Sequence, residues 1–179
     1  NDVSTLNLKT AAQVKAWKLT DGTLQTNTVT SDVASVPAVV GVYPVTFNYT
    51  NVSRTIYVSV YDDNTVGGPS TTDPLNSVNT ELMHAKGGTY RLSEVTGKTL
   101  SDITGVKAWN VNTGADSLFT TAISIAGETK PFNNRVPGSY DVVYTTAAGT
   151  TKTVQVTLVT GSLPTLTINP PTIELAVGD

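Results

Sequence analysis

Apolar and polar positions alternate in two separated parts of the chain. In the runs 43–49 and 140–144, every second residue is a valine or an aromatic residue. A period of two predicts a strand that turns one face towards a core. Each run is followed by another alternating run, at 56–60 and at 154–158, which predicts a hairpin partner for it. No long stretch has a helical period, so the pattern predicts short antiparallel strands.

The same motifs occur twice in the same order. The word Val-Lys-Ala-Trp stands at 14–17 and again at 106–109, which is 92 residues later. The two strand runs recur at offsets of 97 (43 to 140) and 98 (56 to 154). The growing offset places the extra residues of the second copy in loops between 110 and 136. This internal repeat predicts two homologous domains.

Turn-forming residues suggest where the domains begin and end. We expect a first domain at 1–61 that lacks its first strand, and a second domain at 75–160. The segment 62–74 is rich in Gly, Pro and short polar residues, which predicts a linker with some hinge freedom. Alternation restarts within 161–179, which predicts the first strands of a further unit or a C-terminal strand.

Composition agrees with an all-β fold and excludes some partners. The chain contains 32 threonines and 24 valines among 179 residues, and these β-branched types favour strands. Only 11 residues are lysine or arginine and the net charge is -3, so the basic surface that nucleic acids require is absent from the sequence. Without a run of 18 apolar residues, no membrane insertion is predicted.

Few side chains are suited to catalysis. The chain has no cysteine and one histidine, His84, and it lacks the local motifs of serine hydrolases, nucleotide-binding loops and zinc proteases. A lone histidine in a β domain is usually an ordinary strand or loop residue. We therefore predict no enzymatic activity, no catalytic residue and no cofactor other than calcium.

The repeated order Gly-x-Tyr-x-Val-x-aromatic, a turn, and a valine-rich last strand resembles bacterial immunoglobulin-like repeats. The segment 166–179, which ends in Val-Gly-Asp, is similar to the opening of a related group of these repeats. The resemblance implies two tandem immunoglobulin-like β-sandwiches and the start of a third unit. It also implies an extracellular place on the surface or cell wall of a Gram-positive bacterium, next to further repeats of the parent chain.

In that family the repeats act as stalks or as adhesive modules. The resemblance therefore implies a structural or adhesive role, with a host surface protein or a glycan as partner. An alternative is an accessory module, for carbohydrate binding or spacing, of a secreted glycan-degrading enzyme. A virion decoration domain would use the same fold.

The Val-Lys-Ala-Trp word suggests one covalent chemistry. A period of two puts Lys15 on the face of Trp17, and Lys107 on the face of Trp109. If the tryptophans are buried, the lysines could form isopeptide bonds to Asn or Asp, with a nearby carboxylate such as Asp32 moving the proton. A β-bulge or a lysine that extends its amine into solvent explains the same pattern.

Two further sites have simpler alternatives. Asp62, Asp63, Asn64 and Asp73 offer oxygen ligands for Ca²⁺ at the junction of two domains, but a solvated linker has the same composition. Some aromatic residues could stack on sugars, although scattered exposed rings need no function. Four rings are assigned to the core, namely Trp17, Tyr43, Phe47 and Tyr49. The rings left for a surface are Tyr57, Tyr61, Tyr90, Phe119 and Phe132.

Overall fold

A computed structural model of the chain describes residues 7–69 and 79–161. These residues form a mostly β structure of eleven strands in three sheets, which confirms the predicted all-β class. The strands are β1 Thr30–Ser31, β2 Gly41–Tyr49, β3 Val52–Val60, β4 Thr65–Gly67, β5 Glu81–His84, β6 Gly88–Arg91, β7 Lys107–Asn110, β8 Phe119–Ile125, β9 Glu128–Thr129, β10 Gly138–Thr146 and β11 Thr151–Val159. The α-helices are α1 Leu8–Ala11, α2 Leu92–Val95 and α3 Leu100–Thr104, and short 3-10 helices span Thr26–Thr28 and Val33–Ser35. Within the described part of the chain, no helix has the length and apolar character needed to cross a membrane.

The first sheet has the order β1-β2-β3, and its strands are antiparallel. β2 and β3 pair along their whole length, from Gly41 with Val60 to Tyr49 with Val52. Within β2, Val45 is completely buried, and Phe47 is nearly so. The predicted hairpin and the predicted inward face of β2 are therefore confirmed.

The other two sheets face each other across one core. The larger sheet has the order β6-β11-β10-β8-β9, and the smaller has the order β4-β5-β7. Met83 and Ala108 of the smaller sheet share one buried cluster with Tyr140 and Val142 of the larger. The chain changes sheet between β5 and β6, and β6 then runs parallel to β11. Two sheets closed over one core give this part a β-sandwich-like character.

Part of the segment that we expected to be a linker, 62–74, is a strand. β4 pairs with β5, with Thr65 opposite His84 and Gly67 opposite Leu82. The side chain of Val66 packs against the core of the second copy. Removal of this apolar side chain from water stabilises the folded state and favours a strand here over a free linker. The remainder of the predicted linker from residue 70 onwards, and the predicted further unit after Gly161, lie outside the described residues.

The sequence repeat is also a repeat of local structure. We call residues 7–61 the first copy and residues 79–160 the second copy. The main-chain NH of Gln25 donates to Ala16 O at 2.7 Å, and the corresponding NH of Ser117 donates to Ala108 O at 2.9 Å. These bonds fix the same turn after each Val-Lys-Ala-Trp word.

A tyrosine hydroxyl fastens the start of the long hairpin in both copies. Tyr43 Oη donates to Val39 O, and Tyr140 Oη donates to Val136 O, each at 3.0 Å. Both bonds reach back four residues to the loop before the strand. The Gly-x-Tyr motif thus ties the loop to the strand that it enters, in the same way in each copy.

The copies differ in one respect. β5 and β6 of the second copy have no counterpart in the described part of the first copy. As a result, β11 lies between β10 and β6, whereas β3 is at the edge of its sheet. Among the described residues, no strand covers this side of β3 or the Lys15–Trp17 stretch in the way that β6 and β5 cover their counterparts in the second copy.

The two copies meet at a small apolar cluster. Val42 from β2 of the first copy contacts Leu82 from β5 and Val111 after β7, and Trp109 packs against these three residues. Nearby, Gly114 approaches the Tyr57 ring so closely that a Cβ there would lie 3.1 Å from it. We call Val42, Leu82 and Val111 the junction cluster.

Candidate functional site

The first copy carries an open, mostly apolar groove with a volume of about 430 Å³. We call it the first-copy groove. It lies between the Val-Lys-Ala-Trp word and the turn that joins β2 to β3. Its lining residues are Val14, Lys15, Ala16, Trp17, Lys18, Leu19, Val29, Phe47, Asn48, Tyr49, Thr50, Asn51, Val52, Ser53 and Arg54. Three of them are basic and none is acidic, and one of the basic residues, Lys18, forms an ion pair with Asp21 at 3.1 Å.

The prediction that Trp17 belongs to the core is wrong, since 55% of its surface is exposed. Val14 and Ala16 instead pack against the core of the first copy. Lys15 and Trp17 do share a face, as the period of two requires, but this face is the outer one. The word has apolar residues in both phases, Val14 and Ala16 in one and Trp17 in the other, so its pattern alone does not tell which face turns inward.

Because this face of the word is the outer one, neither Lys15 nor Lys107 is buried as an isopeptide bond would require. Lys15 and Lys107 are both exposed to solvent. The carboxylate suggested as a proton carrier, Asp32, accepts a hydrogen bond from the main-chain NH of Thr46 at 2.7 Å. Isopeptide formation needs an amine in a desolvated pocket beside its acceptor, and the structure places neither lysine in one.

The acidic residues after β3 form a turn. Asp62 Oδ1 accepts hydrogen bonds from the main-chain NH of Asn64 at 2.9 Å and from Thr65 Oγ1 at 2.8 Å. His84 Nε2 lies 3.5 Å from Asp62 Oδ2, so the single histidine is part of this turn. Asp63 is exposed beside it. Through these hydrogen bonds the Asp62 carboxylate stabilises the turn that precedes β4.

The predicted calcium site is not assembled in the described residues. Asp73, its fourth residue, lies outside them. Over the ranges 7–69 and 79–161, no three carboxylate, histidine or cysteine side chains come together as metal ligands. Asp62, Asp63 and Asn64 follow one another in the turn, and hydrogen bonds with Asn64 and Thr65 occupy the Asp62 oxygens.

The pKa of Asp62 lies below its ordinary value of 3.8. Partial burial raises the pKa, but hydrogen bonds from Thr65 and Asn64 and the charge of His84 outweigh burial. A lowered pKa means that the ionised group stabilises the folded state at pH values above 3.8, and that this contribution is lost as the pH falls through the lower folded-state value.

We therefore expect the Asp62→Asn variant to lose less stability on acidification than the parent chain. The difference should develop as the pH falls from about 5 through the ordinary carboxyl range. Urea denaturation at a series of pH values measures it. Asp63→Asn, at the adjacent exposed position, removes one carboxylate as well and is the matched control for that loss of charge. Identical acid profiles for the parent and Asp62→Asn would contradict the expectation.

The predicted surface rings divide into two groups. Tyr57 and Tyr61 are exposed, at 37% and 57%. Tyr90, by contrast, is half-buried against the core, and its Oη donates to Ile103 O at 3.3 Å. Phe119 and Phe132 also pack against this core, edge-on to tyrosines. The ring missed by sequence reasoning is Trp17, which borders the first-copy groove.

Neither the family models nor the curated proteins compared with this chain match it. The functional interpretation therefore depends on the repeat, the first-copy groove and the junction cluster.

Proposed function

We propose that this chain is a non-catalytic structural and adhesive module of a bacterial cell-surface protein. In this proposal its two copies are tandem immunoglobulin-like domains, exposed on the cell wall, that project or contribute a binding surface for a host protein or glycan. The observation that supports the proposal most directly is the junction cluster. A projecting stalk needs neighbouring repeats that hold a fixed orientation, and buried apolar contact between repeats supplies this.

The connection between the copies is also short. Only Tyr61 to Asn64 separate β3 of the first copy from β4, which already belongs to a sheet of the second copy. The turn at Asp62 is closed by hydrogen bonds to the next residues. Because β4 is hydrogen-bonded to β5, rotation between the copies is restricted to these few residues. Such a connection favours a stiff spacer over two freely moving domains.

The stalk proposal can be tested by NMR relaxation of the 179-residue chain. If the junction cluster fixes the copies, amides of β2 and β3 should give the same rotational correlation time as amides of β10 and β11. Leu82→Ser should separate the two values. Val39→Ser, an exposed position 62% accessible in the first copy, is the matched control. Two independent correlation times in the parent chain would contradict a stiff stalk.

The adhesive part needs a binding measurement. The chain would be presented to host extracellular proteins, cell-wall polysaccharide and a glycan array, with and without Ca²⁺. Saturable binding that is lost on unfolding supports adhesion by these copies. No binding under either condition would remove the adhesive role from this segment and leave the spacer role.

One observation favours the accessory-module alternative. Trp17 is more than half exposed, and together with Tyr49 and Asn51 it lines the first-copy groove. Exposed rings beside hydrogen-bonding amides suit the face of a sugar. A glycan hit that Trp17→Ala abolishes and Tyr61→Ala preserves would favour a carbohydrate-binding module, and the absence of any hit would count against it.

A further inference from the structure

The turns at 17–24 and 109–116 have the same backbone, one in each copy. An antiparallel bridge between the first and the last residue closes each turn. Within the turns, the main-chain NH of Gly22 donates to the carbonyl four residues earlier at 2.9 Å, and Gly114 makes the same bond at 2.8 Å. Both glycines are left-handed, with φ of 70° and 68°. The two turns are therefore equivalent surfaces of the two copies.

In the second copy this turn makes the contact with the first copy. Trp109 and Val111 pack against Val42 of β2 in the junction cluster, where Val111 is buried. A Cβ at Gly114 would lie 3.1 Å from the Tyr57 ring, so the backbone of the turn also lies close to the first copy. The second copy's turn is thus a docking surface that holds a hairpin of the neighbouring copy.

The same positions of the first copy's turn face solvent. At the offset of 92, the places of the three contact residues are taken by Trp17, Leu19 and Gly22. Trp17 is more than half exposed and Leu19 is fully exposed. A Cβ at Gly22 would meet no atom of the described residues within 4 Å. The first copy's turn therefore keeps in water the kind of surface that the second copy's turn buries against its neighbour.

The second copy's turn lies on the outer face of the β2–β3 hairpin. Val45 of β2 is in the core of the first copy, so Val42, three residues earlier, is on the opposite face. Pro44 is also on this outer face, and it is paired with Tyr57 of β3. The face is accordingly apolar where the turn touches it.

The corresponding face of the second copy is polar. At the offsets of 97 and 98, a serine and a glutamine stand where the first copy has Val42 and Tyr57. Ser139 Oγ lies 2.8 Å from a threonine hydroxyl of β11, and Gln155 Nε2 donates to Asp141 Oδ1 at 3.0 Å. Apolar side chains docked here would take these groups out of water without replacing its hydrogen bonds. The second copy is therefore a poor acceptor for the first copy's turn.

We propose that the turn 17–24 is a docking surface for another immunoglobulin-like repeat, whose outer hairpin face carries a valine and an aromatic ring at the positions of Val42 and Tyr57. The inference rests on the proposed role of the copies as tandem repeats, and it names the partner that the first copy takes. The contact repeats the one that the chain already makes at its junction cluster, with Trp17 and Leu19 as the inserted side chains. A repeat with a polar outer face, such as this chain's second copy, is refused.

We expect this contact to be weaker than the junction cluster. Leu82 of that cluster belongs to β5, which has no counterpart in the described part of the first copy. In partial compensation, the turn 17–24 ends in the exposed Leu24, where the second copy has Asp116. A central tryptophan commonly carries a large share of the binding energy of an interface. Association should therefore depend on Trp17 and develop at high protein concentration.

Placing the apolar face on the second copy tests the proposal. The acceptor variant Ser139→Val/Asp141→Thr/Gln155→Tyr changes only outward positions of β10 and β11, so it keeps the core residues of the second copy. Sedimentation equilibrium should find the parent at 18.8 kDa at every concentration. The average mass of the acceptor variant should rise as the concentration increases, because the first copy's turn docks on the second copy of the next molecule, head-to-tail.

Two further substitutions assign the association to the turn. Trp17→Ser/Leu19→Ser, added to the acceptor variant, should weaken association by about tenfold or more. Val39→Ser, at an exposed apolar position of the same copy outside the turn, is the matched control and should associate like the acceptor variant. An acceptor variant that stays at the mass of one chain would overturn the proposal, and so would association that survives the loss of Trp17 and Leu19. A parent chain that associates through this turn would also overturn it, because a polar face would then suffice.

A second variant uses the natural face and guards against misfolding of the acceptor variant. Trp109→Ser/Val111→Ser removes the second copy's contact with Val42 and Tyr57, which leaves this face open to the turn of another molecule. It should also associate, and Trp17→Ser should again reverse the effect. Circular dichroism checks that each variant keeps its β-structure. A single rotational correlation time for the parent, together with variants that never associate, would leave the stalk proposal standing and overturn the docking proposal.

Discussion

Replacing Met83 with alanine is expected to lower the free energy of unfolding of the second copy by about 2–5 kcal/mol. Met83 is completely buried and lies between the two sheets of the second copy, opposite Ala108. Since Ala108 is small, Met83 supplies most of the volume at this position. Removal of its side chain leaves a cavity that the paired strands cannot close without breaking their hydrogen bonds.

Urea denaturation followed by circular dichroism measures this loss. Thr89→Ala, at an exposed position of β6, the next strand along the chain, is the matched control and should change stability by much less. A Met83→Ala variant no less stable than Thr89→Ala would show that β5 is not part of the core. Met83 belongs to the core of the second copy, so the transition of the first copy should move only through contact at the junction cluster.

Sequence pattern alone recovers the long hairpins but not the strands that complete the sandwich. β2 and β10 alternate because each has one face to a core and one to solvent, and a period of two reports this directly. β5 does not alternate, because Glu81, Leu82 and Met83 are all buried. Its two faces lie against different bodies, Met83 against the core of the second copy and Leu82 against the first copy. A strand buried on both faces carries no periodic signal.

The change of sheet after β5 also escapes sequence reasoning. A strand-like stretch from Thr80 to Leu92 is recognisable, but it is divided into β5 and β6 by the turn at residues 85–87. A Cβ at Gly87 would overlap the carbonyl oxygen of Gln155, so this glycine permits close approach to β11. That requirement depends on a strand nearly seventy residues away in sequence, and no local pattern contains it.

The candidate site was predictable in part. The repeat of the Val-Lys-Ala-Trp word is visible in the sequence, but the first-copy groove depends on which face of 14–17 turns inward. Val14 and Ala16 lie on one face of the word and Trp17 lies on the other. The large apolar side chain of Trp17 led to its wrong assignment to the core. Tertiary contact decides the orientation, since Val14 and Ala16 pack against the core of the first copy.

Replacing Leu82 with alanine is expected to have an effect as large as that of Met83→Ala, about 2–5 kcal/mol, but on different contacts. Leu82 is 1% exposed, and its side chain meets Val42 of the first copy and Val111. The loss should therefore appear as weaker coupling between the copies as well as lower stability of the second. In calorimetry, the unfolding transitions of the two copies should move apart in the Leu82→Ala variant, because the weakened junction no longer couples them.

A double-mutant cycle separates this coupling from simple loss of core. Val42→Ala and Leu82→Ala touch one another's side chains across the junction, so their effects should fail to add by about 0.5–3 kcal/mol. Met83→Ala paired with Val42→Ala is the matched control: Met83 faces the opposite way on the same strand, and this pair should be close to additive. If both pairs are additive, the copies touch without stabilising each other, and the stiffness on which a stalk depends would have to come from the β4 connection alone.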